Sequence, residues 1–277
     1  MALCLVGSEM CIRDRDFSYW YFFLLALFGA VVANSTGAGG GVVFVPAFNL
    51  LGLSPDSVIA TSFAIQCFGM TAGTLAWFRH ARLQQVSEVP EVWNAYLPHI
   101  LWFGLPSMLG VVAGQALFEA RAAHEIVSLF KGFSIVFAIS ILATTYYLVR
   151  TQKRKLPPVQ AQGYFYLLFV IVGGVGGMIT AWLSIGVGEL VAVLLILMRY
   201  PVRMAVGVAV SVSAMSVWVG VQKYLWILPT IDWNVLMFAG PAALIGGTVA
   251  KHVIAWFTPV QLKLFIAAWI LFSAIAM

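Results

Sequence analysis

The feature that most constrains this chain is a series of long apolar runs that contain almost no charged residue. A helix of about 20 residues crosses the hydrocarbon core of a bilayer, which is about 30 Å thick. Only 9% of the 277 residues are charged, whereas about a quarter are charged in an ordinary soluble domain. So few charges cannot cover a soluble surface of this size. We therefore predict an all-α polytopic membrane protein, with the lipid bilayer as its surroundings.

This composition disfavours several classes of protein. Nucleic-acid binding requires clustered basic residues on a solvated face, so we expect no nucleic-acid partner and relate the net charge of +5 to membrane topology. The chain also has no nucleophile elbow, phosphate-binding loop or His-Glu metal motif. Its four histidines are scattered without metal-ligand spacing. We therefore predict that the chain is not an enzyme and has no metal and no cofactor.

The first 15 residues differ in kind from the rest of the chain. Residues 5–15 resemble the in-frame translation of a transposase sequencing adapter, so we treat residues 1–15 as a non-native scar. A short polar leader is the alternative. Without this segment, Cys67 is the only cysteine, which excludes an intrachain disulfide and a thiolate metal cluster.

Ten apolar runs follow, and two of them are too short to span a bilayer comfortably. These two, at 40–52 and 190–198, each follow a Gly-rich break, at residues 36–41 and 184–188. We therefore predict eight to ten membrane segments, with one helix in each half interrupted at its Gly-rich break. The runs are 17–34, 40–52, 57–78, 96–118, 126–149, 164–183, 190–198, 204–222, 235–256 and 259–277.

The two breaks occupy corresponding places in two halves of the chain. Residues 27–64 align with 175–210 with one gap, and Pro106 aligns with Pro241. We predict a first membrane repeat at 16–149 and a second at 163–277, joined by a basic cytoplasmic linker at 150–162. Because each half has an odd number of segments, the repeats are predicted to be inverted. Chance similarity between apolar helices is the alternative.

The distribution of lysine and arginine predicts the orientation, because cytoplasmic loops collect these residues. With ten crossings, ten of the basic residues fall on one side and three on the other. The first group is then cytoplasmic and both termini are outside; with eight crossings the two sides are nearly equal. The cytoplasmic group is Arg79, Arg82, Arg150, Lys153, Arg154, Lys155, Arg199, Arg203, Lys251 and Lys263, and the other group is Arg121, Lys131 and Lys223. Six tryptophans near run ends, including Trp77, are expected at the membrane interfaces.

The first break combines polar side chains with exposed backbone. A half-helix that starts near Gly39 would direct its free N–H groups and positive dipole end into the interior, which favours a bound anion. We therefore predict a substrate site for a small anion here. Close helix packing by small residues is the alternative. The predicted binding residues of this break are Asn34, Ser35, Thr36, Gly37, Gly39, Gly40 and Gly41.

Further candidates lie on the next helix and at the second break. Thr61, Ser62 and Gln66 form a short polar stripe, in which Ser62 and Gln66 share one helix face. Hydroxyl groups in membrane helices also bond to their own backbone, which is the alternative interpretation. The second break contributes Ser184, Gly186 and Gly188 to the predicted anion site.

Glu189 is the most costly residue of the chain, because it follows the second break within an apolar run. An acid at mid-membrane costs about 2.5–3.5 kcal/mol on insertion scales and is functional by default. We predict that Glu189 couples transport to an ion gradient, either through protonation or by pairing with a base such as Arg203. Alternatively, Glu189 caps the short helix by accepting backbone N–H groups.

The motif around the first break resembles a known family. Residues 37–46 read Gly-Ala-Gly-Gly-Gly-Val-Val-Phe-Val-Pro, and are followed by Leu-Gly-Leu-Ser-Pro at 51–55 and Ala-Thr-Ser-Phe at 60–63. This pattern resembles the sulfite exporter TauE/SafE family, also called the 4-toluene sulfonate uptake permease family. The resemblance implies a multi-pass permease of the bacterial inner membrane that moves sulfite, sulfoacetate or related organosulfur anions, coupled to an ion gradient. Two other functions remain open: a cation or metal permease centred on Glu189, and a non-transporting membrane assembly protein.

Overall fold

The computed structural model describes residues 19–87, 93–117, 123–151 and 163–256, together with positions 260, 261, 264, 265, 267, 268, 271 and 272. The predicted scar and most of the linker lie outside these residues. So do Arg121, Lys153, Arg154, Lys155, Lys263 and much of the tenth apolar run. Every regular element in the described ranges is a helix, which confirms the all-α class.

The helices follow the first nine apolar runs closely. They are α1 (Trp20–Thr36), α2 (Gly41–Leu50), α3 (Pro55–Ser87), α4 (Tyr96–Leu117), α5 (Ala123–Thr151), α6 (Gly163–Leu183), α7 (Val187–Leu197), α8 (Val202–Gln222) and α9 (Trp233–Trp256). A π-helical turn, Lys223–Ile227, extends α8.

Six of these helices are long and apolar enough to cross a membrane, namely α3, α4, α5, α6, α8 and α9. The chain is therefore a multi-pass membrane protein. By contrast, α2 and α7 have 10 and 11 residues and extend only about 15–17 Å, at about 1.5 Å per residue. Each of these short helices thus covers about half of the hydrocarbon core.

Helices α3 and α8 form the centre of the molecule. Within their most apolar windows, 78% and 83% of the residues are buried, compared with 39% in α4, α5 and α6. The outer helices expose large apolar side chains, such as Leu109 at 72% and Met237 at 71%. Such exposure would be costly in water but is favourable against lipid.

Three helices run in one direction through the molecule. Helices α1 and α9 both pack beside α3. The residue numbers of their contacts increase in the same direction along all three helices. The neighbouring pairs are Ala30–Gly69 and Asn34–Gly73 between α1 and α3, and Ala243–Gly69 and Gly247–Gly73 between α9 and α3. Helices α1, α3 and α9 are therefore parallel.

Helices α4, α6 and α8 form a second parallel group, which runs in the opposite direction. The pairs that show the common direction are Phe103–Gly173 and Ser107–Gly177 between α4 and α6, and Tyr96–Gly207 and Ser107–Ser216 between α4 and α8. Between α3 and α8 the residue numbers of the contacts rise along one helix and fall along the other, so these two helices are antiparallel. Those pairs are Phe63–Gly220, Cys67–Val217 and Trp77–Gly207.

The two ends of the bundle carry different basic residues. Arg203 at the start of α8 and Lys251 near the end of α9 both lie toward the C-terminal end of α3, because Gly207 contacts Trp77 and Gly247 contacts Gly73. At the other end, the Lys223 ammonium donates a hydrogen bond to the Gln115 carbonyl oxygen, at 3.2 Å. Arg203 and Lys251, which the sequence assigned to one side of the membrane, therefore lie at the opposite end of the bundle from Lys223, which it assigned to the other side.

Candidate functional site

The two Gly-rich breaks lie against each other in the interior. A Cβ at Gly41 would overlap the Ser184 carbonyl oxygen, and a Cβ at Gly188 would overlap the Gly37 carbonyl oxygen. Only glycine allows the start of each short helix to approach the other break so closely. The α1–α2 break and the α6–α7 break thus form one junction.

The same contacts occur in both halves of the chain at a constant sequence offset. Gly37 and Ser184 each end a long helix in the left-handed region, with φ of 78° and 58°. Gly41, the first residue of α2, and Gly188, the second residue of α7, differ by the same 147 positions. Glycine adopts this backbone freely, whereas it is uncommon for serine. Position 184 therefore needs stabilising contacts that position 37 does not.

Gln66 of α3 supplies those contacts. Its Oε1 accepts the Gly40 N–H at 2.8 Å, and its Nε2 donates to the Ser184 Oγ at 2.7 Å and the Ser62 Oγ at 3.1 Å. The two serine hydroxyls are also hydrogen-bonded to each other, at 2.9 Å. One buried amide side chain thus connects both breaks to the central helix.

Glu189 makes the second connection between the breaks. Its Oε2 accepts the Gly186 N–H at 2.8 Å, which caps its own helix α7. Its Oε1 accepts the Gly39 N–H of the other break, also at 2.8 Å. The side chain is 1% exposed, and the described part of the chain shows no ion pair with it. The capping alternative is therefore present, and the pairing with Arg203 is not, because Arg203 lies exposed at the start of α8.

The expectation of free amide groups at the first break needs correction. Helix α2 begins at Gly41 with Gly40 as its N-cap, and the N–H groups of Gly39 and Gly40 donate to Glu189 and Gln66. An unpaired buried N–H group is costly, so side chains of the protein itself supply the acceptors. The junction binds a carboxylate, but this carboxylate belongs to the chain.

The other predicted residues of the first break and of α3 have separate partners. Asn34 Nδ2 donates to the Ala30 carbonyl oxygen, Ser35 Oγ to the Ala250 carbonyl oxygen, and Thr36 Oγ1 accepts the Ala38 N–H. Thr61 lies apart from the junction, because its Oγ1 accepts the Asp232 N–H at the start of α9. Of the predicted polar stripe, Ser62 and Gln66 alone face the breaks.

Three residues that contact the junction lie outside the predicted substrate site, although the sequence indicates Ser213 as a weaker candidate, in the second-half counterpart of the α3 polar stripe. Trp77 is buried rather than interfacial, and its Nε1 donates to the Asn34 carbonyl oxygen at 3.0 Å. Thr180 Oγ1 accepts the Val187 N–H at the start of α7, also at 3.0 Å. Ser213 lies against Gly188. A signal for Ser213 was its position 147 residues after Gln66, the same offset that relates the two breaks.

The junction is closely packed but not completely filled. A cavity of about 40 Å³ adjoins Glu189 and is lined by Thr36 and Thr144 among others, and one of about 10 Å³ adjoins Asn34, Gly40 and Gln66. The smaller cavity is close to the minimum for one water molecule. A much larger cleft of about 1010 Å³ lies elsewhere, between α3, α4 and α8.

Comparison with known proteins identifies the family. No curated protein and no solved structure matches the chain. The family model described as "Sulfite exporter TauE/SafE" matches residues 22–277, nearly the whole chain. Members of that family are membrane transporters, not enzymes, in agreement with the multi-pass helical architecture described above. The chain therefore belongs to the sulfite exporter TauE/SafE family.

Proposed function

We propose that this permease exports sulfite, or a related small organosulfur anion, across the bacterial inner membrane and draws on an ion gradient. Membership of an exporter family supports the direction and the class of substrate. The observation that carries the proposal is the Glu189 carboxylate, whose two oxygens accept N–H groups from both breaks. The junction thus has the donors that an oxyanion requires.

The proposed binding residues are those that surround this junction. Backbone N–H groups and hydroxyls would donate to the oxygens of the substrate, and the glycines would let it approach the backbone. Ser35 and Thr61 point to other partners, so we assign them no contact with substrate. The set is Asn34, Thr36, Gly37, Gly39, Gly40, Gly41, Ser62, Gln66, Ser184, Gly186 and Gly188.

We further propose that residues 16–149 and 163–277 are inverted repeats joined by the cytoplasmic linker 150–162, with eight to ten segments in the membrane. The opposite directions of α3 and α8 support this, as does the constant offset between the breaks. Movement of one repeat against the other would then open the junction to each side in turn.

Glu189 is the proposed coupling residue. A carboxylate that leaves the amide groups and enters an apolar space is strongly favoured to take up a proton, which links its position to the proton gradient. A cation permease centred on Glu189 agrees less well with the contacts, because the neighbours of the carboxylate are hydrogen-bond donors. Nor does the described part of the chain contain a cluster of His, Cys, Asp or Glu that could hold a metal ion.

Flux measurements in proteoliposomes test the proposal. We expect the purified chain to move sulfite or sulfoacetate at a rate that depends on the pH gradient, and Glu189→Gln to remove that dependence. Asp56→Asn is the matched control, since Asp56 is an exposed acid at the start of α3. Absence of flux for every sulfur oxyanion, with correctly folded protein, would contradict the proposal and favour an assembly role. Flux of a cation that Glu189→Gln abolishes would favour the cation permease.

A further inference from the structure

Glu189 makes one contact more than a helix cap requires. The bond from the Gly186 N–H to Oε2 completes the cap of α7, as in other helices that begin with an acidic residue in the first turn. The bond from the Gly39 N–H to Oε1 joins positions 150 residues apart. This second contact places an anion between the two breaks, where each break donates one N–H group.

Within the described ranges, a buried hydroxyl at the same junction has no hydrogen-bond partner. Ser213 of α8 is 3% exposed, and its Oγ lies against Gly188 in the first turn of α7. A buried hydroxyl without a partner is unusual in a native protein and calls for an explanation. A ligand with more oxygens than a carboxylate would provide an acceptor for it.

The junction also has space beside the carboxylate. The cavity of about 40 Å³ next to Glu189 lies between α1, α5 and α7. Its lining includes Thr36 and Thr144 among mostly apolar residues. A carboxyl group that turned away from Gly39 and Gly186 would find room there, in mostly apolar surroundings.

We propose that Glu189 is an internal competitor for the substrate: its carboxylate occupies an oxyanion subsite formed by the N–H groups of Gly39 and Gly186. An external sulfur oxyanion binds there only after the Glu189 side chain has moved toward the cavity lined by Thr36 and Thr144. This inference rests on the proposed function, because it takes the junction to be the transport site. The Ser213 hydroxyl then donates to an oxygen that a carboxylate does not have.

The competition follows from electrostatics. Two anions a few ångströms apart repel strongly where the effective dielectric constant is low, so the subsite holds one at a time. Because the site is available only in the fraction of molecules whose Glu189 has moved, the apparent affinity for substrate falls by that fraction. A weakly held anion is also released readily, as an exporter requires.

Thermal unfolding of the purified full-length chain tests the competition without any need for transport. In Glu189→Ala the amide groups lose their internal anion, so formate and sulfite should each raise the unfolding midpoint by at least about 3 °C more than in the unmodified chain. Glu189→Gln keeps the volume of the side chain. Sulfite should also raise the unfolding midpoint of this variant by more than it raises that of the unmodified chain. Thr180→Val is the matched control, because it removes the acceptor of the Val187 N–H at the same helix start but creates no place for an anion.

The outcomes separate the two proposals. Shifts in the Glu189 variants that are no larger than in the unmodified chain, or an equal shift in Thr180→Val, would overturn the competitor role. If Glu189→Ala does not fold, the shift of Glu189→Gln with sulfite decides alone. Absence of sulfite flux in proteoliposomes would contradict the proposed function, yet the thermal measurement would still judge whether Glu189 occupies an anion subsite.

Discussion

At the scale of single residues, two side chains satisfy the backbone of both breaks. Gln66 accepts the Gly40 N–H and donates to Ser184, and Glu189 accepts the N–H groups of Gly39 and Gly186. Each of these atoms is buried, so each bond replaces one that water would otherwise make. The sequence predicted both residues as members of the site and gave capping of α7 by Glu189 as an alternative, but it did not predict that Gln66 and Glu189 would accept the N–H groups of the first break.

Replacing Gln66 by leucine should disrupt the junction. Leucine has a similar volume but cannot accept the Gly40 N–H or donate to Ser184. Leaving buried polar groups unpaired costs about 1–3 kcal/mol each, so we expect a lower unfolding midpoint and at least about a tenfold loss of sulfite flux. Gln222→Leu changes an exposed glutamine of α8 and should preserve both. Equal flux in the two variants would contradict the role of Gln66.

At the scale of elements, the lengths of the short helices follow from local sequence. Helix α1 ends where Gly37 turns to φ 78°, and α2 ends before Gly52 at φ 75° and Pro55. Pro46 lies inside α2, within a helix of only 10 residues. The packing of the long helices depends on small residues instead, since glycines let neighbouring backbones come into contact.

Gly177 of α6 tests this close packing. A Cβ at this position would overlap the Ser107 carbonyl oxygen of α4, so Gly177→Ala forces the two helices apart. We expect a loss of about 1–3 kcal/mol, as for other overpacked sites, seen as a lower unfolding midpoint. Gly132→Ala is the control, because nothing lies within 4 Å of a Cβ there. That change should be neutral or stabilise α5 by about 0.5–1 kcal/mol. The reverse order of stability would contradict the packing.

At the scale of the whole molecule, two groups of parallel helices run in opposite directions around the central pair α3 and α8. Arg203 and Lys251 lie near His80 at one end, and Lys223 lies near Gln115 at the other. This arrangement is the one that an inverted duplication with a cytoplasmic basic end would produce.

Labelling of single cysteines tests the orientation. Arg203→Cys should react with a membrane-impermeant maleimide only from the cytoplasmic side, and Pro229→Cys, in the loop after α8, only from the other side. Both positions are exposed. Cys4 and Cys11 are replaced by serine in the parent chain, where the remaining Cys67 is buried, so this parent provides the background. Reaction of both variants from the same side would exclude the proposed topology.

A cross-link between the halves tests whether they move. Ser107 of α4 and Ser216 of α8 are hydrogen-bonded through their hydroxyls at 2.5 Å, and both are buried. The double variant Ser107→Cys/Ser216→Cys should form a disulfide on oxidation and lose most of its sulfite flux, because the repeats can no longer rock against each other. A reductant should restore the flux, and each single variant should be unaffected by oxidation. Full flux in the cross-linked protein would exclude this movement.

The membrane character, the helices and the positions of the breaks follow from the amino-acid sequence alone. These depend on local properties: apolar runs of sufficient length, and, at the two breaks, Gly-rich segments that interrupt the helix. Which groups fill the junction depends instead on the packing of the helices. Gln66 reaches Ser184 across 118 residues and Glu189 reaches Gly39 across 150, and Thr61 turns instead to Asp232. Such pairings depend on how α3 and α7 pack against the two breaks. A buried N–H group must be hydrogen-bonded, and the packing determines which acceptor lies within reach.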